Sequence, residues 1–166
     1  MKINQSILIL ITVLISTFSF AQISTTRMNE LKIGMRPNEV MKFYGKKPAA
    51  IVDDYKKIIT INGVNFTFSI GKGYLSKTEN DSYLNSISTT SKNIKTLSGI
   101  GIGSTLDDLW KAYGAKYDIY LDKAEFDSRE FRIQDAENGT MLLFELKNEI
   151  VTEIILNSYN PEECTI

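Results

Sequence analysis

The stretch that decides the fold is "IGIGSTLDDLWKAYGAK", Ile100 to Lys116, because the chain contains an earlier version of it. The earlier version is "LKIGMRPNEVMKFYGKK", Leu31 to Lys47. When the two stretches are aligned without a gap, an isoleucine, two glycines, two lysines and a tyrosine coincide. This internal repeat predicts two similar structural units, at about 28–91 and 97–159.

The later copy has the pattern of a capped amphipathic helix. Thr105 and Asp108 have the spacing of a capping box, with Thr105 as the N-cap. Leu106, Leu109, Trp110 and Tyr113 follow at helical spacing and predict one packed face. Gly114 then predicts a left-handed helix end.

The earlier copy predicts a matching helix. Pro37 suits the first helical position, and Glu39 suits the first turn because it complements the helix dipole. Both helices would be too short to be stable alone, so they need a sheet to pack on. We expect a structural role for these motif residues: Gly34, Gly45, Gly103, Gly114, Tyr44, Tyr113 and Trp110.

Strand patterns follow each helix. In the first half, Asn62-Gly63 separates two strand-like runs, which is a strong hairpin signal. In the second half, the runs 129–135, 140–147 and 149–157 are separated by Asn138-Gly139 and a tight turn at Asn148. We predict a further short strand at 117–121 and a charged loop at 122–130.

The last two runs are apolar at both odd and even positions. This pattern is typical of central strands with both faces covered, and it also fits an apolar patch exposed for a partner. We therefore predict an α+β fold. In this fold a tandem repeat of one helix plus three or four antiparallel strands forms one curved sheet with the helices on one face.

The N-terminus has the pattern of a secretory signal peptide. Lys2 precedes a short apolar run, and small residues at Ser19 and Ala21 predict cleavage after Ala21. The apolar run is too short to span a bilayer comfortably. We expect residues 1–21 to be the signal and residues 22–166 to form a single periplasmic or secreted domain, without a membrane span after cleavage.

Composition excludes several classes of function. The formal net charge of −1 provides no basic patch for nucleic acid. The chain has no histidine and one cysteine, Cys164, so histidine-based catalysis, a metal site and an internal disulfide are not expected. The acidic pairs Asp53-Asp54, Asp107-Asp108 and Glu162-Glu163 are expected to be surface or helix-start residues, and we expect neither an enzyme nor a cofactor.

The repeated motif resembles a known exported module. Gly34, Met35, Val40, Gly45 and Pro48 in the first copy are similar to the motif of the outer-membrane assembly lipoprotein BamE (SmpA) family and of beta-lactamase inhibitory protein. In the second copy the matching residues are Gly103, Thr105, Leu109 and Gly114. The resemblance implies the tandem helix–sheet fold. It transfers no functional residue, and Arg36 stands where the motif has a capping threonine.

These features lead to the expectation of a monomeric, exported, non-enzymatic domain that binds another protein in an inhibitor-like manner. The partner would contact the polar face of the curved sheet, where strand alternation places Asn65, Thr67, Ser69, Arg132 and Gln134. Two alternatives are an envelope scaffold that accompanies an outer-membrane assembly complex and a periplasmic immunity protein.

Overall fold

A computed structural model describes residues 22–44, 57–72, 81–125 and 127–160. The predicted signal peptide, Gly45, Pro48, Asp53-Asp54, Glu162-Glu163 and Cys164 lie outside these ranges. Strands account for 52% of the described residues and helices for 14%, so the chain is mostly a β protein.

Seven of the described strands form the larger sheet, in the order β4-β5-β6-β11-β10-β9-β8. All neighbours in this sheet are antiparallel. The strands are β4 (Lys57–Ile61), β5 (Val64–Gly71), β6 (Tyr83–Thr89), β8 (Ile119–Glu125), β9 (Ser128–Asp135), β10 (Thr140–Lys147) and β11 (Ile150–Ser158).

Four two-residue strands form a smaller sheet, in the order β3-β2-β1-β7, in which β1 and β7 are parallel. These strands are β1 (Gln22–Ile23), β2 (Arg27–Met28), β3 (Leu31–Lys32) and β7 (Lys95–Thr96). Two helices of eight residues complete the described structure, α1 (Pro37–Tyr44) and α2 (Leu106–Tyr113).

The predicted fold class is therefore wrong. The described residues are mostly β and form two sheets, whereas we predicted an α+β tandem repeat with one curved sheet and helices on one face. The smaller sheet was missed because a strand of two residues is too short to show alternation. Three of its strands lie before α1, and the fourth, β7, lies between the two predicted units.

The hairpin turns confirm two of the sequence signals. Asn62 and Gly63 have φ angles of 52° and 76°, and Asn148 and Glu149 have φ angles of 50° and 64°. Positive φ at both central residues is typical of the turns that suit twisted hairpins. The turn at Asn138-Gly139 is longer, and its asparagine donates to the Asp135 carboxylate. Strand β8 continues to Glu125 and β9 begins at Ser128, so the predicted loop at 122–130 is wrong over most of its length.

The segments before the two helices attach to the larger sheet in the same way. The amide of Gly34 donates to the carbonyl of Leu84 in β6, and the amide of Leu84 donates back to the carbonyl of Met35. Gly103 and the residue after it exchange the same pair of bonds with Val151 in β11. Gly34 and Gly103 have φ angles of 89° and 94°, which side chains rarely tolerate. The repeated glycines thus fix where each helix begins.

The predicted capping box of α2 is confirmed. The Thr105 hydroxyl accepts a hydrogen bond from the Asp108 amide, and the Asp108 carboxylate accepts one from the Thr105 amide. In α1, which begins at Pro37 as predicted, Glu39 accepts from the amide of Arg36 at 2.7 Å. The predicted left-handed end at Gly114 is wrong: its φ of −56° continues the helical conformation, and its amide donates to the carbonyl of Trp110.

One apolar core joins the two sheets and the helices. It contains Ile23, Met28 and Leu31 from the smaller sheet together with buried side chains of the larger sheet. The ring of Tyr113 packs on Phe144, which is fully buried. This face of the larger sheet is therefore covered by the smaller sheet as well as by the helices.

Candidate protein-binding face

The opposite side of the larger sheet, which we call the open face, carries all five residues that the sequence predicted for partner binding. Along β5 the side chains of Phe66 and Phe68 are buried in the core, so Asn65, Thr67 and Ser69 point to the other side. In β9, Arg132 lies between two buried residues, so its side chain also points away from the core. Strand alternation therefore assigned these residues to the correct kind of position.

One row of directly opposed residues crosses all seven strands on the open face, and we call it the central row. Because residues paired in register lie side by side, this row runs perpendicular to the strands. Its members are Ile58, Thr67, Ser88, Ile155, Leu143, Arg132 and Tyr120.

The two ends of the central row are exposed and its middle is shielded. Ile58 in β4 is 67% exposed and Tyr120 in β8 is 49% exposed. Leu143, near the middle, is only 6% exposed. Strands β10 and β11 are central in the sheet, so the interpretation of their doubly apolar pattern as central strands is confirmed. Large apolar side chains at the ends and centre of one row make this face unusual for a strand surface that only contacts water.

The five predicted residues form two groups on the open face. Thr67 and Arg132 belong to the central row, and Ser69 and Gln134 belong to the next row along the strands. Strands β5 and β9 are four positions apart in the sheet, which places the groups about 19 Å apart. They could therefore contact opposite sides of one large partner, and they do not converge on a small ligand.

Neighbouring side chains already hold the polar groups of β5. The Asn65 amide oxygen accepts from the Thr60 hydroxyl at 2.7 Å, and the Ser69 hydroxyl donates to the side-chain oxygen of Asn85 at 2.6 Å. Because these bonds fix the side chains in advance, binding would cost little conformational entropy there.

Arg132 is the most connected of the predicted residues. Its Nε donates to Glu130 at 2.9 Å, and its guanidinium forms ion pairs with Glu130 and with Asp122. Arg132 lies directly opposite Tyr120 in β8 and Leu143 in β10. Arg132 and the exposed Tyr120 are thus neighbours across two strands, and arginine and tyrosine are the types of residue that dominate binding energy in interfaces.

Four carboxylates form a second row on the open face, which we call the acidic row. Asp122, Glu130, Glu145 and Glu153 lie directly opposite one another on β8, β9, β10 and β11. The acidic row is two residues along each strand from the central row. Sequence analysis missed it because four single acidic residues in separate strands form no local motif, and only the register brings them together.

The clearest displaced pKa values belong to two groups at α2. Hydrogen bonds from the amide and hydroxyl of Thr105 lower the pKa of Asp108. Burial raises the pKa of Tyr113, whose hydroxyl donates to the Thr96 hydroxyl at 2.7 Å. Helix capping and core packing explain both shifts, and the predicted helix-start role of Asp108 is confirmed.

No group of three or more potential metal ligands occurs in the described ranges. A surface cleft of about 610 Å³ beside β7 is lined by Lys92, Lys95 and Leu97, among others, and none of the five predicted residues lines it. The residues of the open face that sequence analysis did not single out are Ile58, Tyr120, Ser88 and the acidic row. Adjacent isoleucines in "KIITI" were the available signal for Ile58, since strict alternation would have placed a polar residue there.

No family model, curated protein or solved structure matches this chain. The resemblance to the BamE family and to beta-lactamase inhibitory protein therefore stays a prediction. No helix in the described part of the chain is long and apolar enough to cross a membrane.

Proposed function

We propose that this chain is an exported, non-enzymatic domain that binds another protein through the open face of its larger sheet. The observation that carries the proposal is the central row, which has exposed Ile58 and Tyr120 at its ends and apolar Leu143 and Ile155 in its middle. Exposed apolar and aromatic side chains on an otherwise polar face are typical of a surface that contacts another protein.

The size of the open face suits such an interface. Seven strands at a spacing of about 4.8 Å span roughly 29 Å, and a strand of eight residues is roughly 27 Å long. The face therefore offers roughly 780 Å², close to the ~800 Å² that each partner contributes to a stable complex. A sheet held by backbone hydrogen bonds also presents this area without a folding step on binding, which supports an inhibitor-like mode.

Site-specific photocrosslinking tests the proposal. A photoreactive phenylalanine analogue is placed at Tyr120 on the open face, or at Leu97 as the control, and the full chain is expressed in its own cells. Leu97 is 75% exposed and lies in the turn after β7, so the control is at least as accessible as the test position. We expect one protein to be crosslinked at position 120 and not at position 97.

Substitutions then test whether the crosslink reports binding. Ile58→Ser and Tyr120→Ser should weaken the complex, and Leu97→Ser should not, while all three leave stability within about 0.5 kcal/mol of the parent. Equal crosslinking at positions 120 and 97, or an equal effect of the three substitutions on binding, would contradict a role for the open face.

A further inference from the structure

We infer that the cleft beside β7 binds a small amphiphilic anion, an organic molecule with a carboxylate or phosphate group at one end and an apolar chain or ring at the other. The cleft, which we call the β7 cleft, has a volume of about 610 Å³. This volume lies within the range of roughly 300–1,000 Å³ that is typical of small-molecule sites. None of the described residues that line the β7 cleft belongs to the open face, so its ligand would bind separately from a protein partner.

The charge of the β7 cleft favours an anion. Lys92 and Lys95 both line it, and no aspartate or glutamate occurs among its described lining residues. Neither lysine forms an ion pair with another residue in the described part of the chain. Two lysines without a counter-charge make the cleft locally positive in a chain whose formal net charge is −1. A bound carboxylate or phosphate would neutralise this excess through charge-assisted hydrogen bonds.

The backbone around Lys95 restricts the position of its side chain. In β7, Lys95 is paired with Gln22 of β1 and also with Gly101. A Cβ added at Gly101 would lie 3.0 Å from Cγ of Lys95, so the lysine stem lies close to the backbone of Gly101. Because the stem is confined, Lys95 would lose less conformational entropy on binding than a lysine that extends freely into solvent.

The turn after β7 supplies the apolar part of the site. Leu97 lines the cleft and is 75% exposed, the highest value among the large apolar side chains that the structure describes. In this turn the amide of Gly99 donates to the carbonyl of Thr96 at 2.9 Å, and the amide of Thr96 donates to the carbonyl of Ile100 at 2.8 Å. These bonds hold Leu97 in its exposed position, where an apolar chain lying across it would remove both surfaces from water.

Only a ligand with both kinds of group matches both parts of the cleft. Inorganic phosphate would contact the lysines and leave Leu97 in water, whereas an alcohol would cover Leu97 and leave the lysines without an anion. A nucleic acid carries a long row of phosphates and requires an extended basic surface, which two lysines do not provide.

Four probes test the inference: octyl phosphate, octanol, octyltrimethylammonium and inorganic phosphate. Each is titrated into the isotope-labelled full chain, and amide NMR signals report where it binds. We expect octyl phosphate to shift the signals of Gln22 and of residues 92–101, and to bind more weakly as salt is added. The other three probes should bind there at least about tenfold more weakly, because each lacks either the anionic group or the apolar chain.

Matched charge variants separate the β7 cleft from overall charge. Lys92→Gln with Lys95→Gln should weaken binding of octyl phosphate about tenfold, since it removes both cations from the cleft. Lys116→Gln with Lys147→Gln removes the same charge from exposed positions outside the cleft and should leave binding unchanged within about twofold. Leu97→Ser should weaken binding of octyl phosphate about threefold and leave binding of inorganic phosphate unchanged.

All five substituted side chains are exposed, so each variant should keep the dispersed amide signals of the folded parent. The inference is overturned if octyl phosphate leaves the signals of the cleft unshifted, or if any of the other three probes binds there equally well. An equal effect of the two lysine pairs would overturn it too. None of these results bears on the open face, where photocrosslinking at Tyr120 decides the proposed function independently.

Discussion

The hydrogen bonds that join β7 to α2 allow a prediction in which the size of the effect follows from the structure. The Thr96 hydroxyl oxygen accepts from the Tyr113 hydroxyl at 2.7 Å and from the amide of Ile100 at 3.1 Å. Both side chains are buried. Substituting either partner removes the same hydrogen bond, but the two substitutions leave different groups unpaired.

Tyr113→Phe removes one donor and leaves the Thr96 oxygen bonded to Ile100. We expect it to lower the free energy of unfolding by about 1 kcal/mol, the net value of one hydrogen bond. Thr96→Val removes both bonds and buries the amide of Ile100 without an acceptor, so it should cost about 2–3 kcal/mol. In the Thr96→Val background, Tyr113→Phe should cost about 1 kcal/mol less than it does alone.

Urea unfolding followed by circular dichroism measures these differences, and Tyr120→Phe on the open face is the matched control, with an expected change below about 0.5 kcal/mol. Equal costs for Thr96→Val and Tyr113→Phe, or no coupling between them, would refute the reasoning about the unpaired amide.

The contribution of Tyr113 to stability should depend on pH. Burial raises the pKa of Tyr113 above its ordinary value of 10.0, so the folded state favours the neutral phenol. The stabilisation by Tyr113 is therefore complete below pH 10 and is lost as the pH rises from 10 through the folded-state pKa. We expect the difference in free energy of unfolding between the parent and Tyr113→Phe to decrease above pH 10. A difference that stays constant up to the pH of alkaline unfolding would contradict this expectation.

Four further predictions concern helix and turn positions. Thr105→Ala should cost about 1 kcal/mol in urea unfolding because it removes an N-cap. Because hydrogen bonds from Thr105 lower the pKa of Asp108, the penalty of Asp108→Asn should be present above pH 3.8 and disappear as the pH falls through the folded-state pKa. Glu149→Gly should raise stability in urea unfolding by about 0.5 kcal/mol, because relief of strain at a φ of 64° exceeds the loss of the exposed Arg129 ion pair. Gly114→Ala should lower the thermal midpoint, since a Cβ would lie 2.6 Å from the carbonyl oxygen of Trp110; an unchanged midpoint would show that the helix end shifts freely.

Local signals in the sequence predicted most of the larger sheet. The strands β9, β10 and β11 lie within about one residue of their predicted bounds, because alternation and turn residues are properties of neighbouring positions. The capping box at Thr105 was predictable for the same reason. The conformation of Gly114 was not predictable in this way, because a glycine after a helix usually has a positive φ. Here φ stays helical, and glycine is required because the backbone lies close to Trp110.

Features that depend on pairing between distant residues could not be predicted. The smaller sheet consists of two-residue strands, and one of its pairs joins Ile23 to Thr96 across most of the first half of the chain. The acidic row has the same origin, since its members meet only through the register of four strands. Alternation predicts that Thr67 and Arg132 face away from the core. It does not predict which residues lie between them, and the register shows that these are Ser88, Ile155 and Leu143.

The two halves are alike in their repeated motif and differ on the open face. Residues shared by the two copies of the repeat, such as Gly34 and Gly103, fix backbone conformation and attach each helix to the sheet. On the open face the first half presents mainly hydroxyl groups, such as Thr67, while the second half presents carboxylates, Arg132 and Tyr120. A partner would therefore meet an asymmetric surface on a repeated scaffold. Exchanging residues between the halves should change stability least at the positions that the two copies share. Exchanges on the open face should have the largest effect on which partner binds.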